Sequence, residues 1–121
     1  RRWRDARQRR WNRRWIGSLR VVDDRLEHVR GGRTIFRIAA GQLRQVEFYK
    51  VDRITVDDVC CDLLTDDGRV LTIHEEQEGW AAAVAWLEQL PGFHPAWRRD
   101  VLETPFAENR TLAYVRRDRI Y

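Results

Sequence analysis

The 121-residue sequence has no methionine, a single serine and a single lysine. Without methionine there is no initiator at residue 1, so a segment upstream of Arg1 is expected. The lone serine sits in Gly17-Ser18-Leu19, which lacks the nucleophile-elbow pattern of a hydrolase. Cysteine is scarce too: Cys60 and Cys61 are adjacent. Neighbouring strand residues point to opposite faces, so these two are not expected to bond each other. With no disulfide framework, a reducing compartment is expected. Nowhere do about 20 apolar residues run together, so no membrane-crossing helix is expected. Arg1-Arg2 looks like the start of a twin-arginine signal, but no apolar stretch follows it. The expected location is the cytoplasm, at a membrane if membrane helices lie upstream.

What is plentiful is arginine and tryptophan. Of the 23 basic residues only Lys50 is not arginine, and there are six tryptophans. The net charge of +4 conceals a split. Residues 1–20 hold nine Arg against one Asp, whereas residues 21–121 carry a net −4. GC-rich codon usage would explain arginine over lysine, but not the clustering at one end.

Residues 1–15 read as a basic amphipathic arm. Trp3, Arg7, Trp11 and Trp15 recur every four residues, which on a helix makes one stripe. Guanidinium groups pair with phosphate and indoles stack on unpaired bases, so the arm suits RNA. It equally suits an anionic membrane, with Trp at the interface and Arg on head groups. The candidate binding residues are Trp3, Arg7, Arg10, Trp11, Arg14 and Trp15. The competing reading docks the Trp stripe on the acidic body, or on a second copy in a homodimer, and leaves Arg solvated.

The body, residues 16–121, is strand-like as far as Glu75. Leu19, Val21 and Val22 precede an Asp23-Asp24 turn, and Leu26 to Val29 end at Gly31-Gly32, a pair suited to a tight hairpin. Thr34, Phe36 and Ile38 alternate with Arg33, Ile35 and Arg37, and Ala39-Ala40-Gly41 ends that strand. Val46 and Phe48 alternate with Glu47 and Tyr49. Residues 51–58 read as an irregular connection or a bulge. Val59, Cys61 and Leu63 alternate with Cys60, Asp62 and Leu64 before the Asp67-Gly68 hairpin, and Val70 to His74 return.

A helix is expected over residues 78–90, with Glu75, Glu76 and Glu78 at its N-terminus and Pro91-Gly92 as its stop. Trp80, Ala83, Val84, Leu87 and Leu90 share one face at helical spacing. A short helix through Leu102 and a last strand over Thr111 to Val115 are weaker signals.

This order of antiparallel strands, Asp-Gly hairpin, return strand and helix resembles the bacterial pleckstrin-homology-like and GRAM-like folds. Residues 19–110 are also similar to a group of small uncharacterised bacterial proteins. The similarity is carried by Asp67-Gly68, Glu75-Glu76-Gln77-Glu78-Gly79, Leu90-Pro91-Gly92-Phe93, Trp97 and Pro105-Phe106-Ala107-Glu108-Asn109. It implies an α+β domain: a PH-like antiparallel sheet or partly open barrel of about six to seven strands with one capping C-terminal helix. It also implies a non-catalytic module that binds proteins, peptides or lipids.

No motif points to catalysis or metal. His74-Glu75-Glu76-Gln77-Glu78 begins like a zinc-protease helix but lacks the second histidine four residues on. Cys60-Cys61 lacks C-x-x-C spacing, and no histidine lies near it in sequence. The pairs Asp23-Asp24, Asp57-Asp58 and Asp66-Asp67 read as turn residues. Gly31-Gly32 lacks the residues of a phosphate loop. Trp86, Phe93, Trp97 and Phe106 read either as a ligand groove beside the helix or as packing for the C-terminal tail. The expectation is a non-enzymatic, cofactor-free and metal-free module that works through protein contacts, as an adaptor or immunity-type protein. The alternative is a peripheral RNA- or membrane-binding protein driven by the arm.

Overall fold

The computed structural model describes residues 16–53, 56–103 and 110–117. The order is β1 (Ser18–Val22), β2 (Arg25–Arg30), β3 (Arg33–Ala39), a 3-10 turn (Ala40–Gln42), β4 (Leu43–Arg53), β5 (Val56–Thr65) and β6 (Val70–His74). Helices α1 (Trp80–Leu87) and α2 (Trp97–Leu102) follow, then β7 (Thr111–Val115). The class is α+β with antiparallel strands, as expected.

The turns lie where the sequence is permissive. Asp23 and Asp24 both adopt positive φ, the geometry of a two-residue hairpin whose twist matches its strands. Around Gly68 the Thr65 N–H donates to the Arg69 carbonyl at 3.0 Å, and the Arg69 N–H donates to Thr65 Oγ1 at 3.1 Å.

The strands form two sheets, ordered β1-β2-β3 and β6-β5-β4-β7, and among the described residues they close no barrel. The second sheet is built on the long β4–β5 hairpin, paired from Leu43↔Thr65 to Arg53↔Val56. This corrects the reading of the stretch as irregular for residues 51–53 and 56–58. Backbone pairing from Val51↔Asp58 to Arg53↔Val56 holds them extended although the local sequence shows no apolar alternation.

Both sheets and both helices share one core. Leu26 and Ile38 enter it from the first sheet, Val46, Phe48 and Leu63 from the second, and Leu87 and Trp97 from the helices. Beneath β4 the Trp97 ring stacks on Phe48 at 3.7 Å between centroids and 16° between planes. Trp80 and Phe93 meet Phe48 edge-on at 6.1 and 6.2 Å.

Two expectations about the helical region need correction. Among the described residues there are two helices with a strand after them, so the single capping C-terminal helix is replaced by a main helix together with the short helix and last strand that the sequence signalled weakly. The acidic residues do not start α1 either: its first turn holds none, because Gly79 intervenes with φ of +88°. A Cβ at Gly79 would lie 1.8 Å from the Leu19 carbonyl oxygen. That close approach lets the chain before α1 run beside β1, where the Leu19 N–H donates to the Glu78 carbonyl at 2.7 Å.

Candidate functional site on the outer face of the four-stranded sheet

Alternation along β5 sends Val59, Cys61 and Leu63 into the core and Asp58, Cys60, Asp62 and Leu64 to the opposite face. Strand register then assembles that face in rows. Val70, Leu64, Gln45 and Val115 cross all four strands at one end. Thr72, Asp62, Glu47 and Leu112 form the next row, followed by His74, Cys60 and Tyr49. Asp58 lies opposite Val51 beyond them.

The middle rows are tied together. Asp62 Oδ1 accepts hydrogen bonds from the Tyr49 hydroxyl at 3.0 Å and from Thr72 Oγ1 at 2.8 Å. Arg110 donates to Glu47 Oε1 at 2.5 Å, approaches Asp62 Oδ2 at 3.8 Å and lies 4.3 Å above the Tyr49 ring. Burial, followed by the hydrogen bond and charge of Asp62, pushes the Tyr49 phenol far above the usual tyrosine range.

At the far corner the two cysteines part. Cys61 is sealed in the core, where burial pushes its thiol well above the usual range. Cys60 faces the other way, with Sγ 3.1 Å from His74 Nδ1. The same nitrogen lies 3.8 Å from Asp58 Oδ2. Cys60 is 1% exposed and Asp58 4%, while the His74 side chain is 29% exposed. The end of β6 is pinned beside them. The Val59 N–H donates to Glu75 Oε1 at 2.9 Å, the Glu75 N–H to the Val59 carbonyl at 3.0 Å, and the His74 N–H to Gln77 Oε1 at 2.8 Å. Burial above all raises the Glu75 carboxyl; the Val59 bond opposes this and the Asp58 charge adds to it.

This corner revises two expectations. Asp58 is a buried strand residue, not a turn residue, and Cys60 has a histidine beside it. Pairing of β5 with β6 supplies the histidine that the linear sequence placed out of reach. No family model, no curated protein and no solved structure matches the chain.

The aromatic candidates occupy two places. Phe93 and Trp97 are buried around Phe48, and the Trp97 Nε1–H donates to Glu88 Oε2 at 3.2 Å. Trp86 belongs to the same buried core and donates from Nε1 to Asp24 Oδ1 at 3.1 Å, tying α1 to the β1–β2 turn. Phe106 and all six arm candidates, Trp3, Arg7, Arg10, Trp11, Arg14 and Trp15, lie outside the described residues.

An open groove also runs along β7, lined in part by Gly92, His94, Asp100, Arg110 and Arg116. Its polar groups are engaged locally: His94 Nε2 lies 2.6 Å from Asp100 Oδ2, and Arg116 lies 2.6 Å from Asp66. The outer sheet face is therefore the better candidate, because its groups converge on one another.

Proposed function

We propose that the chain is a non-enzymatic binding module that acts through protein contacts on the outer face of its four-stranded sheet. One observation carries this reading. Among the described residues, the two most exposed large apolar side chains, Val70 at 59% and Val115 at 50%, stand in the same row across that sheet, and Leu112 at 48% stands in the next. Apolar side chains held in water on a rigid sheet suit a protein surface that removes them from solvent. A binding role also fits the burial of Cys60, since a nucleophilic thiol has to be open to its substrate. Assignment to the pleckstrin-homology-like class belongs to the same proposal. Its support is the antiparallel order that passes through the Asp67-Gly68 hairpin into α1.

The test is affinity enrichment from an extract of the cells that make the protein, with three baits. Wild type and Ile35→Glu, a change on the other sheet, are expected to retain the same partner. The double variant Val70→Glu/Val115→Glu is expected to lose it. Equal recovery by all three baits would remove this reading.

A second reading is favoured by the charge split of the sequence: residues 1–15 bind RNA or an anionic membrane. It requires binding to RNA or anionic vesicles that weakens steeply with salt and disappears when residues 1–15 are deleted. Salt-independent or absent binding would remove it.

A further inference from the structure

We infer that Asp58, Cys60 and His74 form a binding site for a thiolate-seeking divalent cation of the zinc type. Three donors of three kinds converge there. Asp58 and Cys60 lie two residues apart on β5 and share a face, and His74 stands opposite Cys60 on β6. One donor atom of each, a carboxylate oxygen of Asp58, Sγ of Cys60 and an imidazole nitrogen of His74, lies within 4.8 Å of the other two.

The imidazole geometry decides between the two chemistries open to these residues. In a nucleophile–base–carboxylate relay, thiol and carboxylate engage different ring nitrogens. Here the thiol, at 3.1 Å, and the carboxylate, at 3.8 Å, face the same Nδ1. Such a ring cannot pass a proton between them through its two nitrogens. It can share a cation with both.

Two of the three donor separations are near those of a metal site. Bonds of about 2.3 Å to sulfur and about 2.0 Å to nitrogen and oxygen, set tetrahedrally, separate sulfur from nitrogen by roughly 3.5 Å and nitrogen from oxygen by roughly 3.3 Å. Binding therefore widens the 3.1 Å contact by a few tenths of an ångström and closes the 3.8 Å contact by about half an ångström. Shifts of this size are on the scale of side-chain rotation about a fixed backbone. The hydrogen bonds at Val59, Glu75 and His74 hold that backbone in place.

The donor set selects the ion. Thiolate with imidazole suits zinc or cobalt, whereas magnesium and calcium take oxygen. Thiolate and carboxylate together balance a divalent charge. The Cys60 proton leaves to solvent as the metal binds. The half-exposed His74 gives access from solvent and leaves a fourth position for water.

The test is titration of the reduced full chain with cobalt(II), followed by displacement with zinc(II). Wild type is expected to bind one equivalent of cobalt with a sulfur-to-cobalt charge-transfer band, and zinc is expected to abolish that band. Cys60→Ser is expected to lose the band, and Cys61→Ala, which changes only the core-facing thiol, is expected to keep it. His74→Gln alters a half-exposed side chain and is expected to weaken binding by more than about tenfold. Circular dichroism of each variant checks the fold, and His74→Gln carries the test if Cys60→Ser does not fold. Absence of the band in folded wild type would overturn the proposal. So would a band that survives Cys60→Ser, or unchanged affinity in His74→Gln.

Discussion

The outer faces of the two sheets solve the same electrostatic problem in opposite ways. On the three-stranded sheet, Glu27 stands in register between Arg20 and Arg37 and is 2% exposed. Arg20 Nε donates to Oε1 at 2.6 Å and Arg37 Nε donates to Oε2. These bonds, Arg20's first, hold the carboxyl below its ordinary range. On the four-stranded sheet, Asp62 stands directly opposite Glu47, a like-charge pairing that costs stability. Two hydroxyls and Arg110 offset that cost. Asp58 adds a third carboxylate, set against imidazole and thiol. The first face is a structural ion triad. The second concentrates acid and metal-type donors that the fold alone does not require, which is where a site is expected.

One core substitution and one loop substitution test how separate the two regions are. Trp97→Ala removes the ring stacked beneath β4 and is expected to cost about 3–5 kcal/mol. Urea denaturation followed by far-ultraviolet circular dichroism and by tryptophan fluorescence should show one coincident, weakened transition. Divergent curves would mean that the two sheets unfold separately. Gly79→Ala acts from the other side, driving a Cβ onto the Leu19 carbonyl of β1 from a left-handed backbone. It is expected to cost about 3 kcal/mol and to leave the Asp58–Cys60–His74 contacts intact.

Glu27→Gln is the next step down. A carboxyl whose folded pKa lies below its ordinary 4.5 contributes stability that is present above that value and lost as pH falls through the lowered one. The variant should therefore melt below wild type at neutral pH, and the gap in Tm should close as pH falls below 4.5. A gap that stays constant with pH would mean that charge is not what Glu27 supplies.

Much of the architecture was legible because turns announce themselves. Asp23-Asp24, Gly31-Gly32 and Asp67-Gly68 each close a hairpin, and the Trp80, Ala83, Val84 and Leu87 spacing falls on α1. The strand character of residues 51–53 and 56–58 was not legible, because pairing across ten positions of β4 and β5 overrides a polar local pattern. The site was half legible. Opposite faces for Cys60 and Cys61 follow from strand geometry alone. The partnership with His74 needed one more step that the sequence did offer. A tight Asp67-Gly68 turn sets Leu64 opposite Val70, so Cys60, four residues back, falls opposite His74, four residues on. Nothing comparable announces Asp58, which is buried although it stands in a polar stretch of the sequence.

The smallest effect has the sharpest sign. Asp62→Asn removes the like charge opposite Glu47 yet keeps an oxygen to accept from Tyr49 and Thr72, and Arg110 keeps Glu47. Stability should rise by up to about 1 kcal/mol, the reverse of Glu27→Gln. A second readout is independent of stability. Since the Asp62 hydrogen bond and charge follow burial as causes of the raised Tyr49 phenol, the variant should titrate that phenol at lower pH by ultraviolet difference spectroscopy. Loss of stability with an unmoved phenol would place Asp62 alongside Glu27 as a structural carboxylate, and the contrast between the two faces would fail at its centre.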